Sequence, residues 1–278
     1  MKIENEKVKN ILILKKKGRK SYMRVYLLQW NIIWNDKFSN FDKVRSLLNS
    51  QSVEAGGLIL LPEMFATGFM HAPKAGIAED FSNPNSPTVS FLSSLANETS
   101  CLVIGGGISN SKNELKNHVG FFEKNNGVES TGYEKIKPFF SEKKNFQPGS
   151  EISVFNWNNF QISSFICYDL RFPELFRKAI SLGATAFYVG ASWPSIRQSH
   201  WKTLLRARAI ENQAYIFGVN RTGKDPYTSY SGGSCIISPK GEILAEASDE
   251  ECVISAEIDS NEVLEWRQEF PVLSDFFS

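Results

Sequence analysis

Cysteine is scarce and scattered. Cys101, Cys167, Cys235 and Cys252 are the whole complement of a 278-residue chain, with no CxxC pair and no histidine at ligand spacing. That excludes a disulfide framework and a cysteine–histidine zinc site, and a reducing cytoplasm fits such usage. No apolar run approaches the roughly 18 residues that a bilayer span requires. Residues 11–14 are apolar, but they are too few for a signal-peptide core and lack a small-residue cleavage site. Histidine is rarer still, at three residues, and net charge is nearly absent at +1. The small net charge hides an asymmetry: residues 1–24 hold nine basic side chains against Glu4 and Glu6, leaving 22 basic and 28 acidic in the remainder. A basic arm can touch nucleic acid or anionic lipid. A short charged terminus is more often a solvated extension, so neither a nucleic-acid nor a membrane partner is expected.

What is present is a large apolar complement, 42% of residues including 21 phenylalanines and six tryptophans, enough for one sizeable core. The folded body is expected over 23–278, with 1–22 as an extension before it. From Met23 onward, short apolar runs alternate with amphipathic segments, and no period of 20–50 residues repeats. Strands are expected at 24–30, 57–61, 101–104, 160–166, 185–189, 214–219, 232–237, 242–246 and 253–258. The three glycines 105–107 are read as closing the third of these. Helices are expected near 37–50, at 87–97 behind a Ser86 cap, at 173–182 and at 199–213. Asn125-Asn126-Gly127 reads as a hairpin turn between strands at 119–123 and 128–133. This alternation predicts an α/β fold of two mixed sheets with helices outside, undivided by any linker.

Three expected strand ends carry reactive groups: Glu63, Lys135 and Cys167. Strand ends are where side chains of layered α/β folds converge on a crevice. A thiol with its ordinary pKa of about 8.5 is mostly protonated at neutral pH, so a nucleophilic cysteine needs a base or a neighbouring cation. Glu63 can take the proton. Lys135 can stabilise the thiolate and, with the Tyr168 backbone N–H, the oxyanion of a tetrahedral intermediate. Each residue has a plain alternative: a buried small hydrophobe for Cys167, a turn residue for Glu63, a solvated cation for Lys135. None of His71, His118 and His200 sits in the setting of a cysteine peptidase; His200 reads as a helix-start residue.

The segments Leu61-Pro62-Glu63-Met64-Phe65, Tyr133-Glu134-Lys135-Ile136 and Cys167-Tyr168-Asp169-Leu170-Arg171-Phe172-Pro173-Glu174 resemble, in order and separation, the three signatures of the nitrilase superfamily of carbon–nitrogen hydrolases. The resemblance runs from Met23 to about Ile258. It implies a four-layer αββα sandwich, a Glu63–Lys135–Cys167 triad, a thioester intermediate and no cofactor or metal. Glu142 matches the second glutamate that in this family positions lysine and substrate. Residues 63–69, Ala191-Ser192-Trp193-Pro194 and 201–212 are similar to the omega-amidase branch, which hydrolyses the terminal amide of short dicarboxylic monoamides such as 2-oxoglutaramate. Tyr168, Ser192 and Trp193 are then expected to wall the substrate pocket, and Arg171, Arg197 or Arg221 to meet a substrate carboxylate. The apolar tail at 266–277 is expected on a second subunit of a homodimer. Two other readings stand beside this one: another amidase of the superfamily, acting on deaminated glutathione or an N-carbamyl amino acid, and a catalytically idle scaffold.

Overall fold

The computed structural model describes residues 22–125 and 132–277. The basic and apolar stretches before residue 22, together with Asn126, Gly127 and residues 128–131 of the expected hairpin, lie outside them.

The chain runs through β1 (Tyr22–Gln29), α1 (Lys37–Asn49), β2 (Leu58–Leu60), α2 (Pro87–Thr99), β3 (Leu102–Ser111), β4 (Glu114–Phe122) and β5 (Tyr133–Glu134). It continues through β6 (Val154–Trp157), β7 (Phe160–Ile166), a 3-10 turn (Cys167–Arg171), α3 (Pro173–Ser181), β8 (Ala186–Ala191), α4 (Gln198–Asn212) and β9 (Tyr215–Asn220). The ribbon β10 (Thr222–Lys224) and β11 (Ser229–Ser231) precedes β12 (Cys235–Ile237), β13 (Ile243–Glu246), β14 (Cys252–Asp259), α5 (Ser260–Glu269) and α6 (Val272–Phe277). Two six-stranded sheets result, ordered β14-β1-β2-β3-β4-β5 and β13-β12-β9-β8-β7-β6. Each has three parallel strands at its heart, β1-β2-β3 and β7-β8-β9, and antiparallel strands at its flanks.

Alternation along the strands shows why they pack this way. Val25, Leu27, Leu58, Leu60, Leu102 and Ile104 turn inward to join a core shared with the second sheet. Their neighbours Tyr26, Leu28, Ile59, Leu61 and Val103 turn outward against Phe41, Val44 and Leu48 of α1 and Val89, Leu92 and Leu95 of α2. Strands covered on both faces read as continuous apolar runs, and these do. On the far side α3 and α4 bury Phe176, Trp201 and Leu205 against the second sheet, completing four layers, αββα.

Two local expectations needed correction. The strand read as ending at Ile104 continues through Gly105, Gly106 and Gly107 to Ser111, because these glycines admit β4 at close range. A Cβ on Gly106 would stand 1.9 Å from the His118 carbonyl oxygen, so absence of a side chain here permits pairing instead of ending it. Gly106→Ala is therefore expected to cost about 3 kcal/mol as an overpacking change, lowering Tm by roughly 6–12 °C in a chain of this size. A melting curve matching that of the parent would contradict the close approach. Second, Ser86 does not cap α2 with its side chain, since its hydroxyl donates to the Asp80 carbonyl; Glu79 instead accepts the Thr88 N–H at 2.8 Å. The C-terminal tail is helical and partly held by its own chain: Arg267 donates to the Gln213, Ala184 and Asn212 carbonyls, and Val263 and Leu273 are buried. Phe270 and Phe276 stay exposed. Among the described residues no helix is long and apolar enough to cross a membrane.

Candidate active site

Glu63 and Lys135 stand just past β2 and β5 of the first sheet, and Cys167 directly after β7 of the second. Two facing sheets thus bring together residues 72 and 32 positions apart in the chain. The turns that achieve this are sharp. Met64, immediately after Glu63, has φ 48° and Cys167 has φ 46°, the left-handed region that costs a non-glycine residue on the order of 1 kcal/mol. Such a turn lifts the thiol out of the strand's pleat.

The Lys135 ammonium lies 2.9 Å from Glu63 Oε1 and 2.7 Å from Glu142 Oε2, and all three side chains are essentially sealed from solvent. Burial alone disfavours the cation, but the Glu142 and Glu63 carboxylates, with Cys167 behind them, outweigh it and hold the lysine protonated above its usual range. Burial also raises the Cys167 thiol well above its ordinary value, and Glu63 and Glu142 add to the rise while Lys135 and the Ser192 N–H oppose it. Any use of this sulfur as a nucleophile would therefore need a base beside it. Glu63 is placed for that. Its Oε1 accepts from Lys135 and from Asn117 Nδ2 (2.7 Å), and its Oε2 accepts the Ser192 N–H (2.9 Å). A carboxylate has about four acceptor sites, so the one left open is on Oε2.

Asp169 ties the two halves together. Its Oδ2 accepts the Ile166 N–H and the Tyr133 hydroxyl, and its Oδ1 accepts the Lys137 N–H, so one carboxyl braces the cysteine turn and both flanks of Lys135. Burial pushes this carboxyl up to about 7, against the pull of Lys135 and the three donors.

Above the sulfur is a cavity of about 320 Å³, within the range of small-molecule sites. Its walls are Phe69, Phe139, Tyr168, Trp193, Tyr227 and Tyr230, with Ser192 beside Cys167. Tyr168, Ser192 and Trp193 thus line the cavity that also holds Cys167. Trp193 is fixed at both main-chain groups, its N–H donating to Asn220 Oδ1 and its carbonyl accepting from Asn220 Nδ2. Glu63, Lys135 and Glu142 form the layer beneath; Glu142 contacts lysine but does not reach the cavity wall.

The three arginines separate. Arg171 and Arg197 line the cavity, with Arg171 stacked over Trp193 at 4.7 Å and Arg197 over Phe139 at 5.8 Å. Arg221 does not line it: the side chain is fully buried and donates to the Ile32, Thr222 and Lys224 carbonyls and Asn31 Oδ1. Glu211 pairs with Arg208. Of the histidines, His118 packs on Phe81, and burial pushes it down to about 4. His200 is the third residue of α4 and reaches Arg171, and His71 lies on the cavity wall beside Tyr227. Among the described residues no cluster of three or more His, Cys, Asp or Glu is arranged to hold a metal ion.

Sequence reasoning missed Asn117, whose partners Glu63 and Glu142 lie 54 and 25 residues away. No spacing rule signals such a contact. Asp169 was within reach, as an Asp that turns back on the N–H three residues before it.

The family model described as carbon-nitrogen hydrolase matches residues 24–268. A 2-oxoglutaramate amidase of Bacillus subtilis (strain 168) is 34% identical over 250 residues, covering 89% of this chain and 95% of the relative. The omega-amidase YafV of Escherichia coli (strain K12) is 31% identical over 256 residues, covering 91% and 96%. Among solved structures, XC1258 from Xanthomonas campestris, a CN-hydrolase superfamily protein with an arsenic adduct in its active site, superposes with a TM-score of 0.84 at 29% identity, covering 91% of this chain and 97% of that one.

Proposed function

The chain belongs to the carbon–nitrogen hydrolase family and is an amide-hydrolysing enzyme, and from that premise we propose that it hydrolyses the terminal amide of a small carboxylate-bearing amide of the 2-oxoglutaramate type. The observation that carries this reading is a single cavity with Cys167 on its floor and two guanidiniums on its wall. In the proposed reaction the Cys167 sulfur attacks the amide carbon as its proton passes to Glu63 Oε2. The Lys135 ammonium and the Tyr168 N–H receive the oxyanion. Collapse returns the proton to the leaving nitrogen, so that ammonia departs and a thioester remains. Glu63 then draws a proton from water, the hydroxide attacks the thioester, and the acid leaves as the thiol is restored. Glu142 holds Lys135 together with Glu63. The relatives named for 2-oxoglutaramate and omega-amides support the substrate class.

Arg171 is the residue assigned to the substrate carboxylate. It follows Cys167 by four residues on the same turn and stacks on a tryptophan that Asn220 clamps, so little ordering remains to be done on binding. The working domain is placed at 23–278, with 1–22 as an extension before it. The protein is placed in a reducing cytoplasm on the strength of four unpaired cysteines. The exposed Phe270 and Phe276 are assigned to the contact with a second copy in a homodimer.

Ammonia release by the purified protein tests the function. Turnover of 2-oxoglutaramate is expected, with butyramide, which lacks the carboxylate, much poorer. Arg171→Met should raise KM for 2-oxoglutaramate by about 10- to 100-fold, the loss of one charge-assisted pair of roughly 1.5–3 kcal/mol, and leave butyramide kinetics nearly unchanged. An equal effect on both amides would remove Arg171 from this role. No turnover of any short amide would favour the scaffold reading.

A further inference from the structure

Asn117 is a buried polar side chain of the site that the proposed chemistry does not use. It is 2% exposed, and its amide nitrogen donates to Glu63 Oε1 at 2.7 Å and to Glu142 Oε1 at 2.9 Å. Its backbone carbonyl accepts the Lys135 N–H at 2.9 Å. The same residue therefore grips both acids through its side chain and the lysine through its main chain. Both side-chain neighbours are carboxylate oxygens, which as anions only accept, so the amide nitrogen must be the end that faces them. Among the described residues its buried Oδ1 has no hydrogen-bond partner. An unsatisfied buried carbonyl is costly, and a native structure that carries one calls for a reason.

The arrangement around it supplies that reason. One ammonium faces two carboxylates, so the buried cluster carries an excess negative charge that Lys135 alone does not neutralise. Neutral donors make up the difference: the Ser192 N–H on Glu63 Oε2, the Phe139 N–H on Glu142 Oε2, and the two N–H bonds of Asn117. Those of Asn117 differ from the others because one group makes both and so fixes the acids relative to each other. By filling the remaining site on Glu63 Oε1, beside Lys135, Asn117 leaves the open lone pair on Oε2. That oxygen binds the Ser192 N–H, the same N–H that faces the Cys167 sulfur.

We infer that Asn117 is a positioning residue that bridges Glu63 and Glu142, sets Glu63 with Oε2 toward the sulfur, and holds Lys135 between the two acids. This rests on the amide-hydrolase reading of the same site and extends it by naming the group that selects the basic oxygen. Asn117 does not line the cavity, so its loss should act on turnover and spare substrate binding.

The test measures kcat and KM for 2-oxoglutaramate, from ammonia release, with parent protein, Cys167→Ala, Asn117→Ala and Asn117→Asp side by side. Asn117→Ala is expected to lower kcat about 100-fold, the scale of a misplaced reacting group or a lost fixed donor, with KM within about threefold of the parent's. Asn117→Asp keeps the shape but can donate only when protonated, and when ionised it adds a third anion. Its deficit in kcat should therefore shrink as pH falls from 8 toward 5, relative to the parent at each pH. A packing role would give a deficit that does not vary with pH. Circular dichroism and melting curves establish that the variants are folded, and the isosteric Asp variant decides the matter if the Ala variant does not fold. Asn117→Ala with kcat within threefold of the parent, or an Asp variant whose profile runs parallel to the parent's, overturns the inference. A parent protein without activity, or an active Cys167→Ala, overturns the amidase reading itself and is recognised separately.

Discussion

Cys167→Ala is expected to reduce ammonia release from 2-oxoglutaramate by about 10⁵-fold or more, the scale seen when a covalent nucleophile is removed from a machine whose parts act as a unit. The residue is half-buried at the floor of the cavity, and the hydrogen bonds that shape its turn come from Asp169 and the backbone, so the variant should fold as the parent does. What remains in it is a base, a cation and a pocket, with nothing to form the acyl bond. The intermediate offers a second view of the same claim. Parent protein quenched with acid during turnover should carry the substrate's acyl group on Cys167, seen as added mass on the peptide that contains it, while the variant should carry none. Burial and the two glutamates raise the thiol well above its ordinary value, so the proposed acylation would depend on a base and not on a standing thiolate. A variant that kept more than about a tenth of parental kcat would show that water is activated directly and that the sulfur is a bystander.

Lys135→Ala is expected to abolish acylation, with kcat lower by about 10³-fold or more, as when a fixed donor is removed from an oxyanion site. This variant should also be destabilised, which separates it from the cysteine variant. Lys135 is 1% exposed and bonded to two buried carboxylates, so deleting it leaves like charges facing each other out of water. Breaking such a pair costs about 3–5 kcal/mol, or roughly 6–20 °C in Tm for a domain of this size. The sign with pH follows from the charges. Without the ammonium, the folded state favours a proton on one of the acids more than the unfolded chain does. Its stability is then greatest at acid pH and falls as pH rises toward neutrality. Melting curves at pH 5 and pH 8 should therefore show a larger Tm deficit at pH 8. An equal deficit at both, with kcat retained, would remove the lysine from the charge cluster and from its proposed task.

The parts of this molecule that could be read from the chain are those written in contiguous residues. The strand at 160–166, the cysteine just after it and the proline-led helix at 173 are local facts, and the structure repeats them within a residue or two. The glycines at 105–107 misled because a glycine run marks a strand's end as readily as a place where two backbones meet, and only the partner strand distinguishes them. Ser86 is the N-cap residue as read, but its side chain makes no capping bond for a similar reason: Glu79 reaches the helix start first, through a loop whose path no local pattern encodes.

The residues' own chemistry, then, was enough to nominate a thiol, an acid and an ammonium, to pick out the family by the segments around them and to leave three arginines in contention. What only the folded chain decided was distance and exposure. It buried Arg221 among carbonyls and put Arg171 and Arg197 on a cavity wall, and it set Asn117 between two acids far away in sequence. The physical reason is that charge and hydrogen-bonding capacity belong to a side chain wherever it sits. Which of them meet across two facing sheets depends on register and packing summed over the whole core, and that information is not local to any stretch of sequence.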